Sequence, residues 1–231
     1  MNPREQLDIS AYLVIGPENT EGRAVGDVIA QAIEGGFTCF QIRSKVASAR
    51  ELIEFTREAA DAIAKAGKAD SVVLLVNDRL DVALAARDQG IKVDGIHVGQ
   101  TDIPVEVCRA YLGPEAVIGL SARTDEMIEH IKTEDVSEVD YFGVAPLHET
   151  ATKPDCGLAE NGEVVVRTLD ELSELAAISP RPVVVGGGVK ASDIPELKST
   201  GVDGFFVVSA VCAAEDPYAA ARKLVDAWKS A

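Results

Sequence analysis

Short apolar runs alternate along the whole chain with stretches whose apolar residues recur at helical spacing. The runs are Ala11–Ile15, Cys39–Arg43, Val72–Asn77, Gly95–Val98, Val117–Ser121, Tyr141–Val144, Pro182–Gly186 and Gly204–Val208. They are largely continuous rather than strictly alternating, which is how parallel strands covered on both faces read. Between them, Arg50–Lys65 places Leu52, Ile53, Phe55, Ala59, Ala60 and Ile63 at near-helical spacing. Asp81–Gln89 is rich in alanine, and Pro104–Leu112 opens with a proline of the kind tolerated in a first helical turn. Thr124 is placed to cap Asp125–Lys132, and Asp216-Pro217 opens a last helix ending near Lys229, with Trp228 turned inward. Eight strands, each followed by a helix, predict an α/β fold, a (β/α)8 TIM barrel in one domain over residues 1–231. A doubly wound sheet shares the same alternation. Residues 1–8 are expected to fray, and 145–162, long and without periodicity, to form an active-site loop.

Composition narrows the function. Lys and Arg total 22 against 38 Asp and Glu, a net charge of −16, which excludes the electrostatic footprint of a general nucleic-acid binder. No apolar run reaches the roughly 18 residues of a membrane span. Met1–Asp8 is polar and unlike a signal peptide. Cys39, Cys108, Cys156 and Cys212 are far apart, which argues against a zinc site or disulfide framework and for a cytoplasmic location.

Active sites of such barrels form at the C-terminal ends of the strands, so the chemistry is read there. Alternation along the second strand points Gln41, Arg43 and Lys45 one way, and the two cations suit an anion such as phosphate. An ion pair with Glu51 or Glu54 would use the same side chains. Asn77-Asp78 and Asp102 end neighbouring units, and two carboxylates with substrate oxygens suit Mg²⁺; a helix cap and a turn would also use aspartates there. Gly186-Gly187-Gly188 after the seventh strand, with Val208-Ser209-Ala210 after the eighth, form a candidate phosphate cup. Thr150, Thr152 and Lys153 suit a phosphate-reaching lid, with His148 beside it as a candidate acid–base group. His97 suits a satisfied barrel residue and His130 a helix surface.

The segments QIRSK (41–45), VND (76–78), GIHVGQTD (95–102), GLSART (119–124), FGVAP (142–146), TATK (150–153), VGGGV (185–189) and SAV (209–211) together resemble the thiamine-phosphate synthase family. The resemblance runs from about Ala11 to Trp228 with the motifs in order. It implies a (β/α)8 barrel that joins 4-amino-2-methyl-5-hydroxymethylpyrimidine diphosphate to thiazole phosphate, with Mg²⁺, releasing diphosphate. It implies that Gln41, Arg43, Lys45, Asn77, Ser121 and Lys153 meet the pyrimidine diphosphate, with Arg43, Lys45, Ser121 and Lys153 as the catalytic set. Asp78 and Asp102 would hold Mg²⁺. Thr150, Thr152, Gly187 or Gly188, Val208 and Ser209 would hold the thiazole phosphate. Ser44 stands where the family commonly has an acid, Val46 for a glycine, Arg123 for a histidine and Ala151 for a glutamate. The partners implied are these two small molecules, with a homo-oligomer compatible. A thiazole tautomerase-type paralogue or a non-catalytic precursor sensor would share the barrel and the cup.

Overall fold

The structure is a computed structural model and describes residues 2–5, 7–121, 127–133, 135–149 and 164–231. Eight strands, β1 (Ala11–Ile15), β2 (Cys39–Ile42), β3 (Val73–Asn77), β4 (Gly95–Val98), β5 (Val117–Ser121), β6 (Tyr141–Val144), β7 (Val183–Val185) and β8 (Gly204–Val207), pair in parallel in sequence order. The pairing of β1 with β8 closes the barrel, with Tyr12 opposite Phe206. Closure excludes the doubly wound alternative. Arg43 continues the ladder one residue past β2, its N–H donating to the Ile15 carbonyl at 2.8 Å. The Cys39–Arg43 run is therefore one residue longer than the strand itself.

Around the barrel lie α1 (Val25–Gly35), α2 (Ala49–Lys65), α3 (Leu80–Asp88), α4 (Val105–Leu112), α5 (Met127–Thr133), α6 (Leu169–Ile178), α7 (Ile194–Ser199), α8 (Ser209–Cys212) and α9 (Pro217–Ser230). Periodicity outlines α2, α3, α4, α5 and α9 to within about two residues. α1 carries the same signal, with Val25, Val28, Ile29, Ala32 and Ile33 buried at helical spacing. Ser48 and Glu51 form a reciprocal capping box on α2, and Asp216 caps α9 by accepting from the Ala219 N–H. Pro104 sits at the N-cap of α4, just outside the first turn. Thr124 lies outside the described residues. Trp228 packs partly buried against Phe205, ring centres 5.7 Å apart. No described helix is long and apolar enough to cross a membrane.

Outward-facing strand residues such as Leu13, Phe40, Leu74 and Phe142 pack under the helices. Inward-facing ones, including Tyr12, Cys39, Leu75, Val117, Tyr141 and Val184, fill the barrel. The bottom is closed by aspartates. Asp94, Asp140 and Asp203 each precede an even-numbered strand, and their carboxylates accept the N–H groups of Leu74, Ile118 and Val183, each at 2.8 Å. Each of these bonds ties a strand to the one before it. At Asp140 the carboxylate also meets Arg109, at 2.7 Å, and Arg4. The N-terminal arm is thus held at Arg4, which also reaches the Pro114 and Ser137 carbonyls.

Candidate active site

The upper half of the barrel interior is built from rings facing glycines. A Cβ on Gly119 would lie 2.2 Å from the Tyr141 ring, one on Gly186 2.1 Å from the Phe206 ring, and one on Gly143 2.9 Å from His97. Each of these three glycines leaves the space that a neighbouring ring occupies. The rings carry polar groups into an otherwise apolar layer, and these groups pair with one another. Gln41 Nε2 donates to Tyr12 Oη at 2.6 Å, and the two tyrosine hydroxyls meet at 2.9 Å. His97 Nδ1 meets Tyr141 Oη at 2.8 Å, and His97 Nε2 meets Ser121 Oγ at 2.9 Å. Gln100 Nε2 donates to the Ser121 carbonyl at 2.7 Å, holding the loop after β4 to the end of β5.

Above this layer two carboxylates face each other. Asp78 follows β3, its N–H donating to the His97 carbonyl at 2.8 Å. Its φ of 58° lies in the left-handed region, uncommon for a residue with a side chain. The next N–H, of Arg79, folds back onto the Asn77 carbonyl at 2.6 Å, making a tight three-residue turn over Asp78. Strain of this kind costs of order 1–3 kcal/mol and collects at functional sites. α3 starts beyond it at Leu80, and its cap position is Arg79, so Asp78 is not the helix cap. Burial, then the charge of Asp102, then a hydrogen bond with Asp102 push the Asp78 carboxyl up to about 6, against the lowering pull of an Asn77 hydrogen bond and the Arg43 charge. Asp102 also makes a turn, accepting the Gly99 N–H at 2.8 Å. The turn and the carboxylate pair coexist in one side chain.

Arg43 is close enough to Asp78 to act on its ionisation. The candidate ion-pair partners of the second strand are engaged elsewhere: Glu51 in the α2 cap and Glu54 with Arg57. Lys45 lies beyond the strand in a bend, so strand alternation no longer sets its direction. Ser44 Oγ bonds to Glu18, which rides on the short turn Pro17–Asn19 after β1, and accepts the Ala47 N–H at 2.9 Å. A carboxylate thus stands beside Ser44, supplied from another loop.

Across the barrel mouth, Gly187 and Gly188 have φ of 83° and 70°, and a Cβ there would strike Pro146 and His148 at 2.7 and 2.9 Å. Only glycine fits this turn. The Gly186 and Gly187 carbonyls accept the N–H groups of Leu147 and His148, joining this loop to the one after β6. His148 Nε2 lies 2.9 Å from Asp193, which also accepts the Lys190 N–H. Val208 is the residue before α8, so Ser209 opens that helix beside the cup. Thr150, Thr152, Lys153 and Arg123 lie outside the described residues, as does most of 145–162.

The model of the thiamine monophosphate synthase family matches residues 11–211, nearly the whole barrel. The chain belongs to that family. It is 40% identical over 222 residues to the thiamine-phosphate synthase of Corynebacterium efficiens, covering 96% of each chain. With that of Albidiferax ferrireducens the identity is 38% over 219 residues, 94% of this chain and 91% of the other. Among solved structures, the thiamine phosphate pyrophosphorylase of Pyrococcus furiosus superposes with a TM-score of 0.77 at 28% identity, covering 98% of both chains. A 3-hexulose-6-phosphate synthase, at 16% identity and TM-score 0.61, shares the fold.

Among the residues that the thiamine-phosphate synthase motifs single out, Gln41, Asn77, His97 and Ser121 lie on four adjacent strands, β2 to β5, with Asp78 just past the end of β3. Gly187, Gly188, Val208 and Ser209 stand at the ends of β7 and β8. Tyr12, Tyr141 and Glu18 are the additions from structure. A tyrosine within a strand is read as apolar packing, and its signal here was the opposing strand glycine, Gly119, two residues before Ser121.

Proposed function

We propose that this chain is a thiamine-phosphate synthase, a transferase that couples 4-amino-2-methyl-5-hydroxymethylpyrimidine diphosphate with thiazole phosphate, giving thiamine phosphate and diphosphate. The observation that carries the reading is the facing pair Asp78–Asp102 beside Arg43, set opposite the glycine cup at Gly187-Gly188. One end suits a metal-bound diphosphate and the other a phosphate monoester.

The carboxylate pair fits a divalent cation. Two hard oxygen donors are held close enough for the Asp102 charge to disfavour ionisation of Asp78, an effect that a bound cation would reverse. Among the described residues no cluster of three or more His, Cys, Asp or Glu gathers anywhere. Mg²⁺ commonly takes only one or two protein carboxylates and completes its shell with phosphate oxygens and water. Bound by Asp78 and Asp102, Mg²⁺ would neutralise charge on the diphosphate.

The residues then divide the work. Arg43, Lys45 and Lys153 supply positive charge to the diphosphate, whose negative charge grows as the methylene carbon–oxygen bond breaks and its electron pair leaves with the diphosphate oxygen. The thiazole nitrogen lone pair forms the new carbon–nitrogen bond, and no protein nucleophile takes part. Gln41, Asn77 and Ser121 orient the pyrimidine diphosphate. Thr150, Thr152, Gly187, Gly188, Val208 and Ser209 hold the thiazole phosphate. The enzyme works in the cytoplasm in this reading, where Cys39, Cys108 and Cys212 are buried free thiols. Burial pushes Cys108 to about 11 and Cys212 to about 12, far from the reactive thiolate range.

The test mixes purified protein with both substrates and Mg²⁺ and follows thiamine phosphate by its fluorescent oxidation product, with EDTA as control. Mg²⁺-dependent product is expected. Binding of thiazole phosphate with no product would transfer the reading to a tautomerase-type paralogue or a precursor sensor.

A further inference from the structure

The hydrogen bonds inside the barrel form one unbroken chain from Gln41 on β2 through Tyr12, Tyr141 and His97 to Ser121 on β5. Tyr12 and Tyr141 are 1% and 0% exposed, packed among apolar side chains such as Val14, Leu75, Val117 and Val184. Phenylalanine would fill the same space without burying two hydroxyls that must each be paired. The chain has a direction. The Gln41 amide donates to Tyr12, so the single proton of Tyr12 must pass to Tyr141; sending it back would place two protons between one pair of atoms. Tyr141 accepts from Tyr12, so its own proton goes to His97 Nδ1. A neutral His97 then carries its proton on Nε2 and donates to Ser121 Oγ. Ser121, accepting from below, keeps its hydroxyl proton for the mouth of the barrel.

We infer that Tyr12, Tyr141 and His97 are positioning residues that commit the Ser121 hydroxyl as a donor to an anionic oxygen of bound substrate. This rests on the reading of the site as a diphosphate site. Without the chain, Ser121 would donate to the imidazole in the empty site and have to turn around on binding. With it, the donor is oriented before charge develops, which is where preorganised dipoles are worth most.

The first test is the ¹⁵N spectrum of the histidines in substrate-free, metal-free protein, with His97 identified by its loss in His97→Gln. The expected result is an Nε2-protonated imidazole whose Nδ1 accepts a hydrogen bond. A proton on Nδ1 would overturn the inference. This arm stands apart from the proposed activity, since no substrate is present. The second test is kinetic. Tyr141→Phe is expected to lower kcat about tenfold, the worth of one hydrogen bond to a charged group, with KM for thiazole phosphate unchanged. In a Ser121→Ala background the same substitution is expected to change kcat little. Equal losses in both backgrounds would mean that Tyr141 acts through general packing and would overturn the inference. Should Tyr141→Phe fail to fold, His97→Gln, which keeps an N–H toward Ser121, is expected to retain more activity than His97→Phe. Equal losses there would overturn it too.

Discussion

At the bottom of the barrel, Asp94, Asp140 and Asp203 each accept the N–H of a residue at the start of the preceding strand, and two of them also hold a cation. At the top, Asp78 and Asp102 face each other, one of them on a left-handed backbone. The same residue type is spent in two ways. Below, every charge is matched by a donor within the fold. Above, the Asp102 charge is left to oppose ionisation of Asp78, a cost in stability at neutral pH that a bound cation would remove. The difference separates the aspartates that hold the fold from the pair that the proposed function gives to a metal ion.

The sharpest way to break this contrast is Asp78→Asn. Asparagine tolerates the left-handed backbone, so the turn is preserved. Turnover is expected to fall by about a thousandfold or more, as for loss of a metal-ion contribution of several kcal/mol. The metal-free variant should melt above metal-free wild type at neutral pH, and Mg²⁺ should raise the melting temperature of wild type alone. A variant that keeps wild-type rates in the coupled fluorescence assay would sink the metal assignment.

Asp140→Ala is the matching test below. It leaves Arg109 only the more exposed carboxylate of Glu138, and about 3 kcal/mol of stability should be lost. Urea denaturation reads the loss, and kcat per folded molecule should stay near wild type. A fall in kcat at full folding would erase the distinction between the two ends.

The pH dependence follows from the direction of the Asp78 shift. Its folded value, about 6, lies above the unfolded 3.8. Its contribution to metal-free stability is therefore fully present below the unfolded value and lost as pH rises through about 6. Mg²⁺ needs the ionised form, so its affinity should drop below about pH 6. Titration calorimetry at pH 5 and 7.5 reads this, and equal affinities at both would contradict it. The smallest expected effect is Asp203→Ala, about 1–3 kcal/mol, because the carboxylate is bonded to the Val183 N–H without the flanking arginines of Asp140. A loss equal to that of Asp140→Ala in the same denaturation series would show that the backbone bond, not the buried ion pair, carries the bottom face.

Much of this was legible in the sequence, for physical reasons. Strands buried on both faces must be apolar throughout, so Val117–Ser121 and its counterparts stand out. Asp78 and Asp102 are legible because strand ends of a barrel converge on one face. Their mutual contact is not, since it depends on an unusual backbone at one residue. Tyr12 and Tyr141 are legible as core but not as polar partners, because a strand pattern records which face a side chain takes, not what its hydroxyl meets. Glu18 is invisible for a related reason: it reaches Ser44 across two loops that sequence spacing does not connect.

The pairing of rings with glycines across the inner wall has a practical consequence for moving this site elsewhere. A designer who transplanted Gln41, Asp78, Asp102 and Ser121 onto another barrel would carry over the proposed binding groups and leave out their carpentry. Without Gly119 there is no room for Tyr141, and without Gly143 none for His97. The smallest transferable unit therefore includes two residues with no side chain at all.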